Sequence, residues 1–172
     1  MRLLFELDTK DYNPNGKTFV RPSARAIIIK DNKVLMVHSQ VYDYYKFPGG
    51  GINCGETRID ALIRETREEA GLIVIKESIR PFGYVRRRQK SDQSQYDFFI
   101  QDNYYFICEV ENEVVLQDLD DYEAFEKFTL EAIDYNVAID INLHKNHGPK
   151  DMIMLWREAK VLELLHNEGY LK

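Results

Sequence analysis

The stretch Gly50–Leu72, GGINCGETRIDALIRETREEAGL, decides how this chain reads. From Glu56 to Ala70 it holds no proline and no glycine, so a helix is allowed. Thr57 stands where a cap belongs, and Asp60, three residues on, brings a carboxylate to the first turn. Gly71 follows, where a left-handed conformation suits glycine and ends the helix. Ile59, Leu62, Ile63, Thr66 and Ala70 recur at helical spacing and share one face. Glu65, Glu68 and Glu69, spaced i, i+3 and i+4, gather on another. Carboxylates set side by side repel one another, and only Arg64 and Arg67 stand near to offset them. Charge pattern alone also permits a solvated acidic face. A divalent cation would relieve the repulsion, and hard oxygen ligands with water left in the shell suit Mg²⁺ or Mn²⁺.

The spacing adds a second constraint. Gly50, Glu56, Arg64, Glu65, Glu68, Glu69 and Gly71 fall at the intervals G-x5-E-x7-R-E-U-x-E-E-x-G-U, where U is bulky and apolar. Chance agreement at these seven positions is on the order of 10⁻⁸ per starting point. The stretch resembles the Nudix box, with Thr66 at the first U as its one departure. Phe47-Pro48-Gly49-Gly50 precedes it and the apolar Leu72–Ile75 follows, as in that family. The resemblance implies a single domain over residues 1–172 with an α/β/α sandwich around a central mixed sheet. It also implies hydrolysis of a phosphoanhydride in a nucleoside diphosphate linked to another group X, of the nucleoside triphosphate, ADP-ribose or nucleotide-sugar class. A Nudix-fold sensor that binds nucleotide without turnover is the alternative, and the intact glutamates argue against it. A diphosphate isomerase on the same fold would need a cysteine in the cleft, and Cys54 is poorly placed in its loop.

Carried over residue by residue, the resemblance implies Glu65, Glu68 and Glu69 as ligands of Mg²⁺ or Mn²⁺. Arg64 cannot act as a base and would pair with a box carboxylate to fix its rotamer. Glu56 would support the helix start. The Gly49–Gly51 loop would let backbone approach the metal, Gly49 through its carbonyl. A glutamate from a later loop completes such sites, and Glu123 and Glu126 both precede the segment Phe128–Leu130. Arg86 and Arg88 share one side of a strand, facing either a phosphate cleft or solvent. Arg25 interrupts an apolar strand and either reaches the site or stands at the surface. Tyr42, Tyr44 and Tyr45 are expected to pack on the sheet in preference to stacking on a base. Trp156 is expected in the core, and His144 and His147 in a solvated loop.

The bulk numbers agree with this class. A chain of 172 residues, 44% hydrophobic and 30% charged, suffices for one soluble domain with a sizeable core. A net charge of −6 disfavours a nucleic-acid polymer, whereas a small phosphate substrate needs only a local basic patch. Cys54 and Cys108 make no disulfide framework, which fits a reducing cytoplasm, and no stretch approaches a membrane span. Along the chain, Arg2–Leu7 and Lys17–Val20 flank Asn13-Pro14-Asn15-Gly16 and read as an N-terminal hairpin within residues 1–22, a surface for a possible homodimer. Ser23–Lys30, Val34–His38, Gly83–Arg88, Tyr104–Val110 and Phe125–Leu130 read as strands. Leu116–Asp121 reads as an acidic loop, Thr129–Tyr135 as the start of a helix, and 149–166 as the closing helix.

Overall fold

The computed structural model describes residues 1–172. The chain begins with β1 (Leu3–Asp8), β2 (Thr18–Val20), β3 (Ser23–Ile27), β4 (Ile29–Lys30), β5 (Lys33–Ser39), β6 (Tyr44–Lys46) and β7 (Gly49–Gly51). Helix α1 (Arg58–Ala70) leads into β8 (Leu72–Val74), β9 (Arg80–Lys90), β10 (Phe98–Ile107) and β11 (Val110–Val114). It closes with α2 (Asp121–Phe125), β12 (Phe128–Ile133), α3 (Tyr135–His144) and α4 (Met152–Asn167).

The main sheet runs β1-β9-β10-β3-β7, with β2 alongside β10. It is mixed: β9 and β10 are antiparallel, β1 and β3 join them in parallel, and β7 returns antiparallel to β3. A second sheet runs β12-β5-β4, with β6 on β5, and β8 pairs β11. Alternation along β3 sets the layers. Ala24 and Ala26 point to α1, where their small side chains admit Ala61 and Leu62 beside Phe106. Ile27 points the other way, onto Val85, Tyr105 and the Leu162 and Leu165 stripe of α4. Helices therefore cover both faces, the expected α/β/α sandwich. No helix is long and apolar enough to cross a membrane.

Helix α1 forms as its sequence dictates. The Thr57 hydroxyl accepts from the Asp60 N–H at 3.1 Å. Gly71 takes φ 66° and its N–H returns to the Arg67 carbonyl. Thr66 is fully buried, and its hydroxyl has no hydrogen-bond partner. An unpartnered buried hydroxyl costs about 1–3 kcal/mol, so Thr66→Val is expected to stabilise the fold by roughly 1 kcal/mol in urea unfolding. A loss of stability would show that the hydroxyl is satisfied in solution.

Several expectations need correction. The N-terminal strands form no hairpin: β1 lies on β9 and β2 on β10, so each found a long-range partner in place of the other. Ser23–Lys30 breaks in two because the chain crosses sheets, Ile27 pairing with Ile107 and Ile29 with Val34. Residues 129–133 stay in strand β12, held in register on β5, and the helix starts only at Tyr135. Phe125 ends α2 and belongs to no strand. Trp156 is 43% exposed, with its ring edge-on to Phe5, because Leu155, Ala159 and Leu162 take the inward stripe of α4. His147 is buried, its ring nitrogens on the Tyr42 and Ile141 carbonyls, while His144 is exposed as expected. Tyr44 and Tyr45 are buried in the packing, and both cysteines are free.

Candidate active site

The glutamate face of α1 meets the glycine strand β7 at the edge of the main sheet. Arg64 sits at the centre. Its Nε and Nη2 hold both oxygens of Glu56 at 2.8 and 2.9 Å, and Nη2 also reaches the Gly51 carbonyl at 3.0 Å. Its Nη1 reaches Glu65 at 2.7 Å and Glu68 at 2.9 Å. These bonds hold the Glu56 carboxyl below the usual carboxylate range. Glu65 moves up, because burial outweighs Arg64. A Cβ at Gly50 would stand 2.2 Å from the Glu65 carboxylate, so any larger residue there would push that carboxylate out of its present position. Glu69 is 1% exposed, pairs with Lys46, and accepts from the Gly49 N–H at 2.8 Å. Its burial dominates those partners and pushes its carboxyl up to about 7.

The acidic loop after β11 docks on the end of α1. Gln117 donates to the Glu69 carbonyl, and the Asp118 N–H to the Glu68 carbonyl at 2.9 Å, closing carbonyls that a helix end leaves open. The loop thereby sets Asp118, Asp120 and Glu123 around one pocket with Glu65 and Glu68. Glu123 accepts from the Asp120 N–H at 2.9 Å and from the Tyr122 hydroxyl. Glu126 points elsewhere. It accepts from Ser39 and Tyr44 at 2.9 and 2.8 Å and pairs with Lys150, so of the two candidate glutamates Glu123 lines this pocket and Glu126 does not. Asp118 and Asp120 were visible in sequence only as an acidic loop. Nothing in sequence marked Lys46.

Next to this pocket, sharing Arg21 and Gly51 with it, opens a cavity of about 360 Å³. Arg25, Lys46 and Arg87 line it, with Ser23, Gln89, Gln101 and the rings of Phe19, Phe99 and Tyr122. Arg25 therefore faces this cavity. Arg86 and Arg88 do not. Arg87 lies opposite Gln101, so the two-residue period turns its neighbours to the other face of the sheet. There Arg86 forks onto Asp102 at 2.7 and 2.8 Å, and Arg88 pairs with Glu6 at 2.8 Å. Arg87, which pairs with Asp151, is the arginine of that run that lines the cavity.

The Arg86 fork makes Asp102 a test of this assignment. Arg86 holds the Asp102 carboxyl below the usual range despite partial burial. The folded state thus binds its proton less readily than the unfolded one. The contribution is present above the unfolded aspartate pKa and is lost as pH falls through the folded value. Arg86→Met is expected to flatten the acid limb of the stability–pH curve below about pH 4. Urea midpoints across that range check it.

The donor set fits a hard divalent cation. The carboxylates of this pocket and Glu69 offer oxygen only, and burial disfavours the bare charge on Glu65 and Glu69, a penalty that a bound cation would offset. As the side chains stand, no three acidic or His/Cys groups converge closely enough to hold an ion. Arg64 and Lys46 take up the box carboxylates instead. The Gly49 carbonyl, expected at the metal, accepts from Arg25 at 3.0 Å.

A profile of the NUDIX domain matches residues 20–149. Over 77 residues the chain is 34% identical to an ADP-ribose pyrophosphatase of Methanocaldococcus jannaschii, covering 42% of this chain and 43% of that protein. Over 54 residues it is 44% identical to an RNA pyrophosphohydrolase of Acinetobacter baylyi, covering 31% and 32%. The chain thus spans less than half the length of these curated relatives. A solved structure from work on MutT of Aliivibrio salmonicida and Vibrio cholerae shares the fold, with TM-score 0.55 at 14% identity over 87% of this chain and 99% of that one. The profile spans most of the chain, and the chain belongs to the Nudix hydrolase family.

Proposed function

We propose that the protein is a Mg²⁺- or Mn²⁺-dependent pyrophosphohydrolase that cleaves a phosphoanhydride in a nucleoside diphosphate linked to a group X. One observation carries this reading: a pocket walled by carboxylates adjoins, at Gly51 of the glycine strand and at Arg21, a cavity lined by arginine and lysine. Carboxylates alone would repel a diphosphate, and cations alone would bind it without activating water. Side by side they suit both tasks.

Glu65, Glu68 and Glu69, with Glu123 from the loop, would hold the metal. When bound, it neutralises charge on the phosphate oxygens and acidifies the attacking water. The other roles belong to the chain. Arg64 holds Glu56, Glu65 and Glu68 in one arrangement, so little reorganisation is left for the reaction. One of the carboxylates takes the proton from the attacking water. Gly50 leaves room for Glu65 at the pocket floor. Lys46 and Arg87 face the diphosphate from the cavity side and offset charge that builds on its oxygens.

Metal removal tests the reading. Turnover of a nucleoside triphosphate, ADP-ribose and nucleotide-sugar panel is expected to vanish in EDTA and to return with added Mg²⁺ or Mn²⁺. Undiminished turnover in EDTA would contradict the assignment.

A further inference from the structure

Arg25 is the one deeply buried cation that lacks an ion-pair partner. It is 7% exposed, and it lies on the β3 floor of the cavity. Its Nη1 donates to the Phe47 and Gly49 carbonyls at 3.3 and 3.0 Å, and its Nε is buried with no partner. The two carboxylates whose fields it feels are engaged elsewhere. Glu69 pairs with Lys46 and the Gly49 N–H. Glu158 pairs with Arg157 and accepts from the Phe47 N–H. The other buried cations each hold a carboxylate: Lys46 has Glu69, Arg87 has Asp151, and Arg157 has Glu158. A guanidinium kept out of water without an anion is costly, and its planar fork matches phosphate oxygens.

The cavity around it points the same way. Arg21 stands at the border with the carboxylate pocket and makes no ion pair. Of the two acids on the wall, Asp151 is held by Arg87, which leaves Asp92 against Arg21 and Arg25. A neutral sugar would leave these cations unanswered. If the scissile diphosphate lies against the carboxylates, the part of the substrate in this cavity is anionic.

We propose that Arg25 anchors a phosphate carried by X, so that the preferred substrates bear a third phosphate and those with a neutral sugar as X are disfavoured. The inference rests on the pyrophosphohydrolase reading and deepens it by naming the substrate class.

Two measurements test it. In the first, inorganic tripolyphosphate is titrated into the metal-free protein in EDTA and followed by calorimetry. Binding is expected, and Arg25→Met is expected to weaken it at least about tenfold, the loss typical of a charged hydrogen-bonding group. Arg25→Lys should recover part of it. No binding by the wild type, or equal binding by a folded Arg25→Met, overturns the proposal. In the second, wild-type kcat/KM is compared for a nucleoside triphosphate and a nucleoside diphosphate sugar of the same base. A preference for the triphosphate of about tenfold or more is expected. Equal or better use of the neutral sugar overturns the proposal and leaves the pyrophosphohydrolase reading standing. Tripolyphosphate binding lost in Arg25→Met, with no turnover of any substrate, supports the anion site and overturns that reading. The wild-type results decide the matter even if Arg25→Met fails to fold.

Discussion

Replacing Glu68 with glutamine is expected to remove most of the hydrolysis and almost none of the stability. Glu68 is 36% exposed and shares Arg64 with Glu56 and Glu65, which keep that arginine in place without it. An exposed i,i+4 pair contributes about 0.3–0.5 kcal/mol, so the melting temperature should scarcely move. The glutamine keeps the shape of the side chain and loses its charge within the carboxylate pocket. Loss of one preorganised electrostatic group typically lowers kcat roughly 10²- to 10³-fold, and that loss is expected here. Initial rates and thermal melts on one preparation check both halves. An active Glu68→Gln protein would move the chemistry off this face of α1.

The opposite pattern is expected at Arg157. This side chain is 1% exposed on α4, and its guanidinium holds Glu158 at 2.6 and 2.9 Å and Asn103 at 2.7 Å. Glu158 in turn accepts from the Phe47 N–H at 2.8 Å and fixes the turn that leads into the glycine strand. Arg157 keeps the Glu158 carboxyl below the usual range although it is fully buried. Arg157→Met leaves that charge buried and unpaired, a loss of about 3–5 kcal/mol. The double variant Arg157→Met with Glu158→Gln removes both charges and should recover part of it. Urea denaturation of the single and double variants measures the difference. A single variant as stable as the wild type would show that the pair does not hold the fold.

Helix α1 was legible residue by residue because its signals are local. Thr57, Asp60 and Gly71 act within a turn of where they stand, and the glutamate spacing is a property of the helix itself. Partners across the sheet were not legible. Nothing in Arg2–Val20 says that its two strands will lie on β9 and β10 and not on each other. Alternation showed that Arg86 and Arg88 share a side, but only the register against β10 shows that Arg87 holds the cavity side. Glu123 and Glu126 looked equivalent in sequence. The short turn of α2 separates them, sending one to the carboxylate pocket and the other to Ser39, Tyr44 and Lys150. Lys46 carried no signal because its role is defined by the burial of Glu69, a tertiary fact.

Product analysis in ¹⁸O-labelled water tests the central claim most directly. The protein is incubated with Mg²⁺ or Mn²⁺ and the panel of nucleoside triphosphate, ADP-ribose and nucleotide-sugar substrates, and products are weighed by mass spectrometry. The carboxylate pocket and its cationic neighbour predict one nucleotide and one phosphorylated or phosphate product, with a single label on phosphorus. An untouched panel, with a nucleotide bound and raising the melting temperature, would contradict hydrolysis and leave a binding protein built on this fold.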